Sequence, residues 1–420
     1  MTATTSVRGR AAALAVPLSL VGLAAAGYLA LVAGGRALPA ASFAGLSSFY
    51  LLANTVGRGT FAAFELELTR GVARALERGT STLAVCRSAL PRAGLLLAAV
   101  LVVLAATSPL LARAVGGGGA VLLLGASAVG LAASSFLRGP LAGAGRYALF
   151  AASLAAEAVV VLGGAVVLLL TGTPSLLAWI GLLALSPLAG VVVVGVGGGA
   201  AAAVRATRSH APLPGELATT VPALMWGSVL FLCSQGVWNL APVVATARAD
   251  AFLAAAGGFA AVAVLLRAPV MAFPAIQALL LPRLARAQVG GHGAAGSHRR
   301  QARYIVAAVG GGALWMVLAV ALADPVVSWL FAIDSTPSRG IVAMLAASIL
   351  LGTIAQLGQA ELLARGRSAA VALTWAAALG VLLAGSVLPI DPLWAAACGQ
   401  LGATATALTA IAVLLRRGRA

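Results

Sequence analysis

The sequence contains no lysine, and all 27 of its basic residues are arginine. This absence excludes a phosphate-binding loop of the GxxxxGK[ST] type, and it equally excludes a Schiff-base lysine. We therefore do not expect the protein to drive its own work by hydrolysing ATP.

Charged residues, cysteine and histidine are also scarce. Only 9% of the residues are charged, against 61% that are hydrophobic. The three cysteines show no metal-binding spacing, and we expect free thiols. The three histidines fall in polar loops, where solvated side chains are the expected state. The residues concerned are Cys86, Cys233, Cys398, His210, His292 and His298. We expect no metal and no cofactor.

Long polar segments are missing as well. The longest, at 65–90, 203–218 and 283–303, are too short for a soluble catalytic domain. No set of nucleophile, base and acid is readable in the sequence. We therefore do not expect an enzyme.

Apolar runs of about 20 residues recur from end to end, which is typical of a polytopic membrane protein. The run 11–33 follows two arginines, as in a signal peptide, but it is long for that role and more spans follow. A transmembrane helix is therefore the prediction there. Twelve helical spans are predicted, at 11–33, 43–64, 91–112, 119–138, 147–170, 176–202, 219–246, 252–281, 304–323, 341–363, 369–388 and 393–415.

The arginines are distributed unevenly between the predicted loops. With the N-terminus inside, four lie in outer loops (Arg36, Arg113, Arg248 and Arg339) and two, Arg58 and Arg267, lie inside spans. The other 21 of the 27, including Arg138, fall in inner loops or tails. Positive charge collects on the cytoplasmic side of membrane proteins. This pattern predicts a plasma-membrane protein with both termini in the cytoplasm. It also makes the membrane surface, rather than nucleic acid, the partner of the basic charge.

Six spans fall on each side of a polar, proline-containing segment. We predict an N-terminal bundle at 1–204, a cytoplasmic linker at 205–216 and a C-terminal bundle at 217–420. In each half the second span runs inward and carries one intramembrane arginine. Such parallel internal repeats are common in transporters.

Arg267 is the most unusual residue of these spans. It lies near the middle of 252–281, and an arginine at that depth costs about 2.5–3.5 kcal/mol on insertion scales. Pro269 and Pro274 follow within two turns and break helical hydrogen bonds. A charged, broken helix at the midplane predicts a transport site. The alternative is a buried structural ion pair.

Arg58 lies about two turns from the inner end of its span. It is predicted either to face a cavity or to extend its side chain to the inner surface. Gly57 and Gly59 beside it would loosen the helix or let another helix approach. The neighbouring Asn54 joins Arg58 as a candidate substrate ligand.

Other polar residues within spans are candidates too. Glu157 is either an ion- or proton-coupling carboxylate or the partner of Arg58 or another buried group. Gln235 and Asn239 are four residues apart and therefore share a helix face. They are predicted to line the same cavity as Arg267 or to hydrogen-bond between helices. Glu361 is predicted to form an interfacial ion pair with a nearby arginine.

Three segments carry a resemblance to a known family. They are FAAFELELTRGVAR after the second span, RAPVMAFPAIQALLLPRLARA around the eighth, and AELLARGRSAAVALTWAAALGVLL across the tenth and eleventh. With the twelve-span layout, they resemble the multidrug/oligosaccharidyl-lipid/polysaccharide flippase superfamily. The polysaccharide-biosynthesis branch, which exports lipid-linked saccharides, is the most similar.

The resemblance implies an all-α membrane protein with two six-helix bundles, a pseudo-twofold axis and a V-shaped central cleft that works by alternating access. Arg58 and Arg267 match cleft arginines of the second and eighth spans in lipid-diphosphate flippases. The first span lacks a matching arginine, since Arg36 lies past its outer end. The two extra spans of the peptidoglycan-precursor branch are absent, which disfavours that substrate.

The expected substrate is therefore a lipid-linked diphosphate saccharide, because guanidinium groups bind phosphate in a bidentate manner. Membrane lipids surround a monomer in this reading. Glycosyltransferases or a polymerase of the same pathway are candidate partners. The alternatives are a cation-coupled multidrug exporter of the same fold and a non-transporting membrane scaffold.

Overall fold

The computed structural model describes residues 3–197, 221–249, 253–267 and 294–417. The predicted linker 205–216, both prolines after Arg267, and Arg283 and Arg286 lie outside these ranges. The described helices are α1 (Ala3–Ala37), α2 (Ala40–Ala53), α3 (Gly59–Glu77), α4 (Thr82–Ala106), α5 (Ser108–Val115), α6 (Gly118–Gly143), α7 (Tyr147–Leu170), α8 (Leu176–Leu185), α9 (Pro187–Val196), α10 (Val221–Arg248), α11 (Leu253–Leu266), α12 (Ala294–Phe331), α13 (Arg339–Ala364), α14 (Ser368–Ser386) and α15 (Pro392–Arg417).

Within the described residues, each of the twelve predicted spans is mainly helical. Ten helical segments of the described chain are long and apolar enough to cross a membrane. The fifth span coincides with α7 at both ends. The apolar runs therefore predicted the all-α class correctly.

The polar stretch 65–90 is more helical than its composition suggested. A π-helical turn at Asn54–Arg58 joins α2 to α3, which continues to Glu77, and α4 begins at Thr82. The extension is amphipathic, since Leu68, Val72 and Ala75 are buried on one face while arginines occupy the other. The predicted ends at 64 and 91 were wrong here because burial of one face stabilises a helix that hydropathy alone does not detect.

The chain divides into two compact units, Met1–Leu38 with Phe49–Leu232, and Pro39–Ser48 with Cys233–Ala420. In the first unit α1 packs along α7, and α6 packs against α3, α4, α8 and α9. At the α3–α6 contact, a Cβ on Gly143 would lie 2.6 Å from the Thr69 carbonyl oxygen. Glycine therefore lets the two helices approach closely.

In the second unit α13, α14 and α15 form a tightly packed group. Trp375 is fully buried there and donates from Nε1 to Oε1 of Gln359, at 2.5 Å. Arg248, the last residue of α10, donates to the carbonyl oxygens of Ser386, the last residue of α14, and of Leu388, two residues further on. The predicted ion pair of Glu361 is confirmed, with Arg365 as the partner.

Candidate functional site

The π-helical turn at Asn54–Arg58 shapes the candidate site of the first unit. Asn54 donates from its side chain to the Tyr50 carbonyl oxygen at 2.8 Å, and Thr55 donates to that of Leu51 at 2.8 Å. A Cβ on Gly57 would lie 2.0 Å from Cδ1 of Leu131 on α6. Gly57 thus allows the close helix approach that the sequence predicted. Single π turns inside α-helices are frequent at functional sites.

A cavity opens beside this turn, and we call it the Arg58 cavity. Its volume is about 480 Å³, with the space at its mouth included. Its polar lining comes from α2 and the π turn, from α6, from α7 and from the α8–α9 junction. The polar lining residues are Tyr50, Asn54, Arg58, Ser127, Glu157 and Ser186. Arg58 is exposed, so its guanidinium belongs to the cavity surface rather than to the packed interior.

Glu157, the only acidic residue among the described residues of that lining, is bound by an arginine of α6. Nη2 of Arg138 lies 2.7 Å from Oε2 of Glu157, and Nε donates to Oγ of Ser153 at 3.0 Å. Arg138 is 7% exposed and Glu157 is 5% exposed. The placement of Arg138 in an inner loop was therefore wrong. α6 runs five residues past the predicted end of its span, to Gly143, and the ion pair compensates for burying the charge.

A glycine and a second carboxylate complete the surroundings of this pair. A Cβ on Gly190 of α9 would lie 2.9 Å from Nη2 of Arg138, so only glycine leaves room for the guanidinium there. Glu65 of α3 accepts a hydrogen bond from Ser135 and interacts electrostatically with Arg138, Arg58 and Glu157. Glu65 therefore lies near both the Arg138–Glu157 pair and Arg58.

The remaining predicted residues belong to the second unit. Asn239 is fully buried on α10 and donates to Oε1 of Gln235 at 3.3 Å, which confirms that the two share a face. Arg267 is 8% exposed and follows the last residue of α11. Its amide donates to the Val264 carbonyl oxygen at 3.2 Å.

The structure thus brings Asn54, Arg58 and Glu157 together around one cavity, and it pairs Gln235 with Asn239. Sequence reasoning missed Arg138 and Glu65. The sequence did contain one signal that Glu157 has a cationic partner, which is Arg138. Ser153 and Glu157 lie four residues apart in an apolar run, so they present two hydrogen-bond acceptors on one helix face. Which helix supplies the cation was not readable from the sequence.

Neither a family model nor a curated protein matches the chain by sequence. Its fold, in contrast, is that of MATE transporters. An inward-facing multidrug resistance MATE family transporter of the MOP superfamily has a TM-score of 0.67 at 14% identity, over 97% of each chain. A mutant of the Vibrio cholerae MATE transporter VcmN has a TM-score of 0.63 at 17% identity, over 99% of each chain.

A MOP superfamily transporter from Pyrococcus furiosus is also similar, with a TM-score of 0.55 at 16% identity over 98% of this chain and 95% of that one. For that protein, a reverse polarity of the binding pocket suggests a different function. At these identities the likeness establishes the fold. The chain is an all-α, multi-pass membrane protein, and the predicted twelve-span layout is consistent with its neighbours, which are transporters and not enzymes.

Proposed function

We propose that the protein is an alternating-access transporter that moves a lipid-linked diphosphate saccharide from the inner to the outer leaflet of the plasma membrane, for export of a cell-surface polysaccharide. The observation that carries this proposal is the charge of the Arg58 cavity. The Arg58 side chain is exposed, while Glu157, the acidic residue of the lining, forms an ion pair with Arg138. A cavity of this kind suits an anion.

The chemistry of the lining fits a diphosphate attached to a sugar. A guanidinium group stays charged and presents paired donors that match a phosphate. Tyr50, Asn54 and Ser127 add neutral groups that can hydrogen-bond to hydroxyls. The lipid tail stays in the bilayer in this proposal, so the cavity accommodates only the head group.

Arg267, with Gln235 and Asn239, supplies the second set of contacts in this mechanism. The lobes 1–204 and 217–420, joined by the linker 205–216, expose the site alternately to either side. For the Pyrococcus furiosus transporter, a reversed polarity of the binding pocket suggests a different function. A function other than multidrug export is therefore compatible with this fold.

The test is accumulation of lipid-linked saccharide on the inner leaflet of cells that express defined variants. We expect Arg267→Ala to abolish export and Arg58→Ala to reduce it less. Lysine at either position should restore only part, because it keeps the charge and loses the bidentate geometry. The matched control is Arg113→Ala, which removes an exposed arginine of α5 that is not part of the cavity lining. Normal export by well-expressed Arg267→Ala and Arg58→Ala would exclude the phosphate-binding role.

A cation-coupled multidrug exporter is the second candidate. The observation that favours it is the grouping of two carboxylates, Glu65 and Glu157, near Arg138, since intramembrane carboxylates are candidates for ion or proton coupling. Efflux of a cationic dye from vesicles with an imposed proton gradient tests it. In that case Glu65→Gln should abolish efflux, and lipid-linked saccharide export should be absent. Failure of both assays in well-folded protein would leave the scaffold alternative.

The proposed orientation has its own test. Reporter fusions at Arg113, Arg248 and Asp391 should report the outside, and fusions at Arg78, Arg299 and Arg419 the inside. Two or more reversed signals would overturn the layout. The proposed monomer should elute from size-exclusion chromatography as a single copy in its detergent micelle.

A further inference from the structure

A second recess of the first unit lies between α3 and α4, and we call it the basic groove. Its volume is about 660 Å³, with its mouth included. Three arginines, Arg74, Arg78 and Arg92, line it together with apolar side chains of both helices. None of these residues belongs to the lining of the Arg58 cavity.

Local structure fixes the arginines of this groove. Arg74 and Arg78 are four residues apart and therefore lie on one face at the end of α3. The helix ends in a Schellman motif, in which Gly79 has a positive φ of 66° and Thr80 donates to the Ala75 carbonyl oxygen at 2.8 Å. α4 then starts at Thr82, where the Ser81 side chain accepts from the Ala84 amide. This short, closed turn holds the two helices side by side.

The charge of the groove is positive. Among the described residues of its lining there is one carboxylate, Glu67, which forms an ion pair with Arg70 at 2.7 Å, and Arg70 is not part of the lining. In the described lining, three arginines therefore outnumber one carboxylate. The groove is complementary to an anion with more than one negatively charged oxygen.

The floor of the groove is apolar. Phe64, Leu68, Val85 and Ala89 line it and belong to one buried core cluster. The same two helices also place leucines at the surface, since Leu66 is 40% exposed and Leu90 is 57% exposed. Apolar surface at the start of a membrane-spanning helix, next to a row of arginines, is the composition of a membrane–water boundary.

We propose that the basic groove binds an anionic phospholipid, with the phosphodiester headgroup between Arg74, Arg78 and Arg92 and an acyl chain along the apolar floor. Basic pockets between transmembrane helices bind lipid headgroups in this way. A soluble phosphate compound would use the arginines alone, so the apolar floor identifies lipid as the occupant. The site is independent of the substrate that the protein transports.

The experiment is a titration of the purified full-length protein, in detergent, with headgroup-labelled phosphatidylglycerol in mixed micelles. Each basic residue at an anionic lipid surface contributes about fivefold to affinity, so R74Q/R78Q should bind about 25-fold more weakly than wild type. The matched control is R416Q/R417Q, which removes two exposed arginines from the last turn of α15 and should bind like wild type. If R74Q/R78Q does not elute as a monodisperse species, Arg92→Gln takes its place, with an expected loss of about fivefold.

Two results would overturn the proposal. The first is equal weakening in R74Q/R78Q and R416Q/R417Q, which would indicate diffuse electrostatic attraction without a site. The second is displacement of the lipid by an equal concentration of glycerol phosphate, which lacks acyl chains and would mark a site for soluble anions. Unchanged affinity in the groove variants would overturn it as well, because the groove arginines would then make no contribution to lipid binding.

Discussion

Arg138 and Arg58, two arginines of the first unit, differ in whether a protein group neutralises the positive charge. Arg138 is buried between α6, α7 and α9, and it is bound to Glu157 and Ser153. Arg58 is exposed in a cavity that shares Glu157 as a lining residue. Arg138 forms its ion pair inside the protein, whereas Arg58 lies at the cavity surface, where it can contact a bound ligand. The comparison shows that the depth of a charge in an apolar helix does not by itself identify a binding residue.

The largest expected effect on stability comes from removing the buried cation. Arg138→Met leaves Glu157 buried without its partner, which costs about 3–5 kcal/mol in comparable ion pairs. We expect a sharp fall in the melting temperature measured in detergent, or a loss of monodisperse protein. Arg138→Met combined with Glu157→Leu should recover much of the loss, because a well-packed apolar pair can replace a buried ion pair. A single variant as stable as wild type would show that the pair does not hold α6 to α7.

A smaller effect is expected at the glycine that makes room for the guanidinium. In Gly190→Ala the new Cβ would meet both Nη2 of Arg138 and the Ser153 carbonyl oxygen at 2.9 Å. Because the second contact is backbone, α9 must shift, at a cost of about 1–3 kcal/mol. The melting temperature measures it, and Gly181→Ala, where nothing lies within 4 Å, is the control. Equal melting temperatures of Gly190→Ala and Gly181→Ala would show that the close contact at Gly190 does not limit stability.

Gly57→Ala should be milder. The atom nearest to the new Cβ, at 2.0 Å, is the terminal Cδ1 of the Leu131 side chain, which can rotate away. We expect a loss at the lower end of the overpacking range, about 1 kcal/mol. Pairing it with Leu131→Ala should remove the clash while adding a cavity cost of its own. A cycle of the four proteins measures the coupling, and additive effects would mean that the two residues do not touch.

The smallest stability effect is expected at Arg58, and it gives the sharpest contrast. Exposed side chains away from packed features usually change stability by less than about 0.5 kcal/mol, so Arg58→Ala should melt like wild type. The same variant should lose part of its export activity. If Arg58→Ala unfolded as readily as Arg138→Met, Arg58 would have the same structural role as Arg138.

These residues also show what the sequence could predict. Long apolar runs indicate where helices cross the membrane, because the thickness of the bilayer core fixes the length of the run. Both ends of α7 were predicted to the residue. The ends of α3 and α4 were missed because their polar residues are helical on the strength of one buried face. Mean hydropathy averages over all residues of a segment, so it does not detect a helix that is apolar on one face only.

The candidate site was predictable only in part. Arg58 and Glu157 stand out as charges within apolar runs, and the structure places both in the lining of one cavity. The pairing of Glu157 with Arg138 depends on which helices pack together, and that contact lies 19 positions apart in sequence. Arg138 was assigned to a loop because it stands at the last position of an apolar run. Its burial follows from tertiary packing.

The π turn has a consequence for comparing this chain with its relatives. Each i→i+5 bond encloses one residue more than an α-helical bond, so the stretch from Ala40 to Glu77 carries an insertion relative to an uninterrupted helix. Residues after Arg58 are therefore out of phase, by about 100°, with residues before Asn54. An alignment that reads this stretch as one continuous helix will match positions after the turn that differ by about 100° in the direction they face. A gap of one position at 54–58 restores the phase.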